Sequence, residues 1–151
     1  MIEPTFRDAT PGDLDAILAF MQRLYAQDGL PYDEPSARAT LSGIVRDRSL
    51  GRVWMIDEGT EAIGYMILTL GYSLEYRGRD AFVDELFVRE DRRRRGIGRK
   101  AMRVMEEACR EVGVRALHLE VERPNAAAQG LYRKFGFVEH DRILMTKPIE
   151  P

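Results

Sequence analysis

The apolar positions near the N-terminus follow a helical period. They recur every three or four residues between Leu14 and Tyr25, which predicts an amphipathic helix. Thr10 and Pro11 stand ahead of this helix as a typical N-cap and first helical residue. The pattern also predicts a short strand before the helix and a second, weaker helix after it, over residues 5–8 and 36–46.

From Gly51 to Val88 the apolar residues follow the alternation of β-strands. Three segments carry it, and polar, glycine-containing turns separate them, which is typical of an antiparallel meander. The segments are residues 53–56, 62–70 and 81–88. The remainder predicts a long amphipathic helix, a strand, a short helix that ends at Gly136 and a closing hairpin, over residues 99–112, 116–121, 125–135 and 137–147.

These elements predict one α/β (α+β) domain that spans residues 1–151. A chain of 151 residues with 44% apolar residues can build one substantial core. The sequence contains no internal repeat, low-complexity tract or polar linker that would divide it. We therefore expect the helices to pack on a single, mostly antiparallel sheet.

Charge and composition exclude several classes of function. The 23 basic and 25 acidic residues nearly cancel, so net charge does not predict binding to nucleic acid or to a membrane. No basic leader or long apolar run is present, and we expect a cytoplasmic protein. Cys109 is the only cysteine, and the two histidines lack the spacing of metal ligands, so no metal is predicted.

The strongest local signal is a strand that leads into a glycine-containing helix start. The strand ends at Val88, and Gly96 and Gly98 open the long helix within a run of arginines. Glycines let the backbone approach a ligand closely, and the first amides of a helix attract anions. The pattern predicts a pyrophosphate site, whereas the P-loop and the dinucleotide fingerprint do not fit its spacing.

The same residues resemble the GCN5-related N-acetyltransferase (GNAT) family. Its core motif, Arg/Gln-x-x-Gly-x-Gly/Ala between a strand and a helix, is matched by Arg-Arg-Arg-Gly-Ile-Gly at residues 93–98. Residues 125–137 resemble the later N-x-x-A-x-x-x-Y-x-x-x-G-F segment, with Asn125, Tyr132 and Gly136 in place. The resemblance implies a mixed, mostly antiparallel sheet of about seven strands flanked by about four helices. A splayed strand pair would form the acetyl-CoA cleft.

The resemblance also implies roles for individual residues. The backbone of residues 86–88 would pair with pantetheine like an added strand, and residues 93–100 would hold the pyrophosphate. Asn125 would contact the pantetheine arm, and Tyr132 would protonate the departing thiolate as a general acid. The implied acetyl-CoA contacts are Leu86, Phe87, Val88, Arg93, Arg94, Arg95, Gly96, Ile97, Gly98, Arg99, Lys100, Asn125 and Tyr132.

The transfer also needs a group that removes a proton from the amine, because alkyl ammonium groups have a pKa near ~10. Glu120 and Asp84 match the acidic positions of two branches of the family. Glu85 points to the opposite side of its strand unless a bulge shifts the phase. The choice among these three carboxylates and water stays open. Cys109 adjoins an apolar stripe, so it is expected to be an inert thiol, and direct transfer in a ternary complex is favoured.

The sequence thus predicts an acyltransferase that moves the acetyl group of acetyl-CoA to a primary amine. Several acidic and tyrosine side chains suit a small cationic amine by charge and cation–π contact, namely Asp28, Asp33, Glu34, Tyr25, Tyr32, Tyr72 and Tyr76. The alternative acceptors are protein N-termini or lysines, and a third reading is a non-catalytic acyl-CoA-binding regulator. The oligomeric state is open, with a homodimer as one option.

Overall fold

A computed structural model describes residues 2–151, which form two compact units, Met1–Leu119 and Glu120–Pro151. Whether the two units act as one domain stays a prediction. The first unit holds the whole sheet and three α-helices, and short 3-10 turns precede α1 and α3. Its elements are β1 (Pro4–Asp8), α1 (Leu14–Asp28), α2 (Glu34–Arg46), β2 (Gly51–Glu58), β3 (Glu61–Ser73), β4 (Gly78–Val88), α3 (Ile97–Glu111) and β5 (Ala116–His118).

The sheet has five strands in the order β1-β2-β3-β4-β5. The first four pair antiparallel as a meander, and β5 joins β4 in parallel after the crossover through α3. The α/β class and the order of the elements in this unit are confirmed. The sheet has five strands rather than about seven.

Two cores cover the two faces of the sheet. On one face, Tyr65 and Phe87 pack against Ile17, Leu18 and Met21 of α1 and against Leu41 of α2. On the other face, Met66, Leu68 and Ala81 pack against Ala101, Met105 and Cys109 of α3. The alternation of β3 between the two cores follows from the two-residue period of a strand.

The β4–β5 ladder is short. It joins only residues 80–82 of β4 to residues 116–118 of β5, and β4 then continues alone on that side from Val83 to Val88. The predicted strand over residues 116–121 is therefore shorter, because its pairing ends at His118. The short ladder agrees with the splayed strand pair that the resemblance implies.

The second unit contains one helix, α4 (Ala126–Lys134), close to the predicted bounds. The closing hairpin predicted over residues 137–147 is wrong, since no strand forms there. The apolar residues that suggested it are largely exposed, with Ile143 at 83% and Met145 at 86% of their surface. Without burial of these side chains, alternation alone does not stabilise a hairpin.

No helix within residues 2–151 is long and apolar enough to cross a membrane.

The pairing of β3 with β4 depends on Gly64, and this gives a first prediction. A Cβ at Gly64 would lie 2.1 Å from the Phe87 carbonyl oxygen, which is backbone and cannot turn away. Gly64→Ala should lower the free energy of unfolding by about 2 kcal/mol or more, measured by urea denaturation. Gly43→Ala is the matched control, because Gly43 is exposed in α2 with no atom near its Cβ position, and this change should stabilise by about 1 kcal/mol. Equal effects of the two changes would contradict the close approach of β3 and β4.

Candidate active site

A β-bulge at Asp84 sets the orientation of the residues around it. Leu68 of β3 pairs with Val83 and Ile67 pairs with Glu85, so Asp84 is the extra residue in β4. Val83 and Leu86 both pack in the α3 core, although three positions separate them. Glu85 therefore lies on the opposite face, toward α1, together with Phe87.

Glu85 is held between two tyrosines on that face. Tyr25 of α1 donates its hydroxyl hydrogen to Oε2 at 2.6 Å, and Tyr65 of β3 donates to Oε1 at 2.7 Å. Tyr65 is fully buried, and Tyr25 is half-buried. Each carboxylate oxygen thus has a fixed hydrogen-bond donor, which orients the group.

The surroundings make Glu85 a stronger base than a solvated glutamate. Burial raises the pKa of its carboxyl above the ordinary value, and the negative charges of Asp84 and Asp28 raise it further. The two tyrosine hydrogen bonds lower the pKa but do not cancel the effect of burial. A fixed carboxylate with a raised pKa binds a proton more readily than a solvated one and can serve as a general base.

The other two predicted carboxylates lie in different settings. Asp84 is exposed on the bulge, directly before Glu85. Glu120 is exposed and belongs to the second unit. The structure therefore brings Asp84 and Glu85 together and gives Glu85 the most enclosed position of the three.

The predicted pyrophosphate site lies at the start of α3. Gly96 is the N-cap, with a φ of 76°, a left-handed conformation that glycine adopts without a Cβ penalty. The first bond of the helix runs from Lys100 N to Gly96 O, so the amides of Ile97 and Gly98 have no acceptor within the helix. Such amides at the positive end of a helix dipole bind phosphate groups.

Glycine at position 98 would allow a ligand to come close to the backbone. It lies in the first turn of α3, where alanine would stabilise the helix by about 1 kcal/mol more than glycine. Within residues 2–151, a Cβ there would meet no atom within 4 Å beyond its chain neighbours and the nearby backbone of its own helix, so tertiary packing does not require glycine. The open space above Gly98 is what a bound pyrophosphate would need.

The basic residues between the end of β4 and the first turn of α3 differ in their ion-pair partners. Arg92 is held by Glu58 at 3.0 Å and by Asp91 at 2.7 Å, so its charge fastens the loop to the β2–β3 turn. Arg95 lies 3.8 Å from Glu58, and Lys100 pairs with Glu3. Arg94 forms no ion pair with any residue from 2 to 151, and its φ of 64° strains a residue that has a side chain.

Arg93 and Val88, both predicted to contact the cofactor, contact each other. Arg93 Nε donates to the Val88 carbonyl oxygen at 2.7 Å, and its Nη2 donates to Gln27 at 3.2 Å. The guanidinium also lies 5.4 Å from the centre of the Phe87 ring. Arg93 thereby links α1 to the end of β4.

Two predicted site residues lie in the second unit. Asn125 is the N-cap of α4, where its side-chain oxygen accepts a hydrogen bond from Ala128 N at 3.1 Å. Its amide NH₂ group is left to donate to pantetheine. Tyr132 lies on α4 and packs edge-on against Phe137, with ring centres 5.9 Å apart. Burial raises the pKa of Tyr132, which keeps the phenol protonated at neutral pH.

Cys109 is a buried thiol in the α3 core. Burial in the α3 core raises the pKa of Cys109 to about 11, so its thiol is a weak nucleophile at neutral pH. Across residues 2–151, no group of three or more histidine, cysteine and acidic residues could hold a metal ion.

Comparison with known proteins shows to which family the chain belongs. Residues 17–137 match the sequence profile of the Acetyltransferase (GNAT) family. The chain belongs to the GNAT family. The resemblance seen in residues 93–98 and 125–137 is thus confirmed, and the acetyl donor of GNAT acyltransferases is acetyl-CoA.

Individual GNAT relatives match over different lengths. An uncharacterized N-acetyltransferase, YycN, of Bacillus subtilis is 32% identical over 73 residues, which cover 48% of this chain and 47% of YycN. The chain therefore spans about half the length of that relative. A methionine sulfoximine/methionine sulfone acetyltransferase of Pseudomonas paraeruginosa is 27% identical over 88% of this chain and 79% of its own. An integron cassette protein from a salt-marsh metagenome has a TM-score of 0.85 and 36% identity over 97% of this chain and 91% of its own.

The sequence did not reveal the tyrosines around Glu85. Tyr65 stands in an apolar strand, where it looks like any core aromatic. Tyr25 ends the helical stripe of α1, and its hydroxyl could not be assigned a partner. A bulge in β4 was the one feature that could have placed Glu85 on the side of α1, and the sequence allowed such a bulge without showing its position.

A second prediction tests the acetyl-CoA site at Gly96. Asp and Asn are nearly the same size and both tolerate a left-handed backbone, so Gly96→Asp and Gly96→Asn differ mainly in charge. Gly96→Asp should weaken acetyl-CoA binding at least tenfold more than Gly96→Asn, measured by isothermal titration calorimetry, because it adds a negative charge beside the pyrophosphate. Thermal unfolding of the two variants provides the control for folding. Equal affinities for acetyl-CoA would contradict the site.

Proposed function

We propose that this protein is an N-acetyltransferase that moves the acetyl group of acetyl-CoA to a primary amine by direct attack in a ternary complex. Acetyl-CoA supplies the activated acetyl group as a thioester. The protein would hold the donor at the start of α3 and along the open edge of β4. The proposal keeps the cytoplasmic location predicted from the sequence.

The setting of Glu85 carries this proposal. An amine must lose a proton before it attacks, and a fixed carboxylate with a raised pKa can accept that proton. Glu85 has both properties, and it lies at the bulge, beside the edge of β4 that the β5 ladder leaves open. Asp84 and Glu120 remain alternative bases, although both side chains are exposed.

Tyr132 is proposed as the general acid. Its raised pKa means that it carries a proton at neutral pH and can give it to the departing thiolate. This assignment rests on the family motif at residues 125–137.

The charges around Glu85 favour a small cationic amine as the acceptor. Asp28 and Asp84 both act on Glu85 through their negative charge, and Tyr25 packs edge-on against Tyr32 with ring centres 5.9 Å apart. Carboxylates and aromatic faces attract ammonium groups. Asp33 and Glu34, also predicted for this role, have structural partners in Ser36 and Arg38.

The first experiment is a screen for the amine. Thiol release from acetyl-CoA would be followed with polyamines, aminoglycosides, amino acids that include L-methionine sulfone, and peptides with a free N-terminus. Turnover of a cationic small amine would support the proposal. Turnover of peptides alone would favour protein acetylation, and acetyl-CoA binding without turnover would favour a regulator.

A third prediction concerns the pH dependence of kcat. Glu85 acts as a base only when ionised, so kcat should fall as pH drops through its raised pKa. Glu85→Gln should lower kcat by about 10²–10⁴ and remove that acidic limb. Tyr25→Phe removes a hydrogen bond that lowers the pKa, so the limb should move to higher pH.

Asp84→Asn provides the matched control for this prediction. It removes a charge that raises the pKa of Glu85, so the limb should move to lower pH, opposite to Tyr25→Phe. If Glu85→Gln keeps full kcat while Asp84→Asn or Glu120→Gln loses it, the base is the other carboxylate.

A fourth prediction tests Tyr132 as the acid. Tyr132→Phe keeps the ring and its contact with Phe137 but removes the proton. It should lower kcat by about 10²-fold or more and leave the affinity for acetyl-CoA nearly unchanged, measured by steady-state kinetics and calorimetry. Unchanged kcat would show that water, rather than Tyr132, protonates the thiolate.

A further inference from the structure

Asp80 and His118 lie at opposite ends of the three-rung β4–β5 ladder, and their side chains form a pair. His118 Nε2 lies 3.0 Å from Asp80 Oδ2, and the two side chains are only 19% and 17% exposed. The Asp80 carboxylate sits over Gly71 of β3, where a Cβ would come within 2.7 Å of its Oδ1. The absence of a side chain at Gly71 therefore provides the space that the Asp80 carboxylate occupies when it contacts His118.

Two aromatic rings fix the imidazole from the sides. The centre of the Tyr76 ring lies 5.1 Å from that of His118, and the centre of the Phe82 ring lies 4.9 Å away. An ionised carboxylate can only accept a hydrogen bond, so Nε2 carries the hydrogen in the neutral ring. The lone pair of Nδ1 is then available to accept a proton.

This pair lies on the same face of the sheet as Glu85. In β3, Tyr65, Ile67, Thr69 and Gly71 alternate onto the α1 face, and they pair with Phe87, Glu85, Phe82 and Asp80 of β4. Phe82 pairs in turn with His118. The α1 face thus carries Glu85 just beyond the end of the ladder and His118 at its last rung.

Amide formation removes two protons from the nitrogen. The nitrogen enters as an ammonium with three hydrogens and leaves as an amide with one. The C–N bond forms, the C–S bond breaks, one of the two protons ends on the thiolate sulfur, and the other passes to solvent. Glu85 takes the proton that leaves the nitrogen before attack, and this proton replaces the one that is given to the sulfur. The second proton leaves the nitrogen after attack, and a second base can carry it to solvent.

We propose that His118, oriented by Asp80, is this second base of the transfer site. Nδ1 of His118 accepts the second proton from the nitrogen, and the carboxylate of Asp80 stabilises the resulting imidazolium and fixes the ring tautomer. His118 then returns the proton to solvent. The inference rests on the proposed acetyl transfer, while it assigns a role that the transfer alone does not require of His118.

Conservative variants test this role in the full-length protein. His118→Gln keeps a nitrogen donor for Asp80 but cannot accept a proton, so kcat should fall by about 10²-fold with little change in KM. His118→Ala should lose a similar factor and regain part of kcat when imidazole is added. The matched control is His140→Gln, which changes the other histidine, exposed in the second unit, and should keep full kcat.

Asp80→Asn tests the positioning role. The amide can donate to Nε2 and thereby place the hydrogen on Nδ1, so kcat should fall while KM is kept. Nitrogen-15 NMR of the wild-type imidazole, which requires no acceptor, should show the hydrogen on Nε2.

The outcomes separate this inference from the proposed function. The probe amine is whichever of spermidine, L-methionine sulfone and an alanine-initiated peptide the wild type acetylates fastest. Full kcat in His118→Gln, no rescue of His118→Ala by imidazole, or a wild-type hydrogen on Nδ1 would overturn the inference and leave the acetyl transfer intact. Absence of turnover by the wild type with all three amines would overturn both.

Discussion

The extra residue that Asp84 adds to β4 determines where the side chains of the candidate site point. A regular strand through Val83 would place Glu85 in the α3 core, where it would face methionines and alanines without a hydrogen-bond donor. The bulge moves Glu85 to the α1 face and leaves Leu86 among the apolar residues around α3. Since side chains alternate strictly along a strand, one inserted residue is enough to move every later side chain to the other face.

The position of Glu85 then depends on the packing of the whole first unit. Tyr65 is fixed by the core of β3, and Tyr25 is fixed by the apolar stripe that anchors α1 to the sheet. Their hydroxyls satisfy a carboxylate that would otherwise be costly to place in a half-buried setting. The raised pKa of Glu85 is thus a property of the core as much as of the site, because both come from the same burial.

The sequence predicted best those features that repeat along the chain or concentrate in one segment. The apolar stripe from Leu14 to Tyr25 predicts α1, and the glycines at positions 96 and 98 predict the start of α3. The structure has both. Long-range geometry could not be predicted in the same way. The tyrosine hydroxyls reach Glu85 across 60 and 20 positions, and Asp80 meets His118 across 38. The hairpin over residues 137–147 failed for the opposite reason, since its alternation is real but its apolar residues remain exposed.

The short β4–β5 ladder has a consequence for self-association. An open strand edge invites a second polypeptide strand, and this is a common route to aggregation. From Val83 to Val88 the edge of β4 is open to strands, but it begins with a bulge that carries the exposed carboxylate of Asp84. The bulge distorts the edge, and the charge of Asp84 repels an approaching strand. The pantetheine arm has only two amide groups, so it needs a shorter regular stretch of strand than a polypeptide does. The edge of β4 is therefore a poor template for a fibril, while the pantetheine pairing proposed for residues 86–88 lies beyond the bulge.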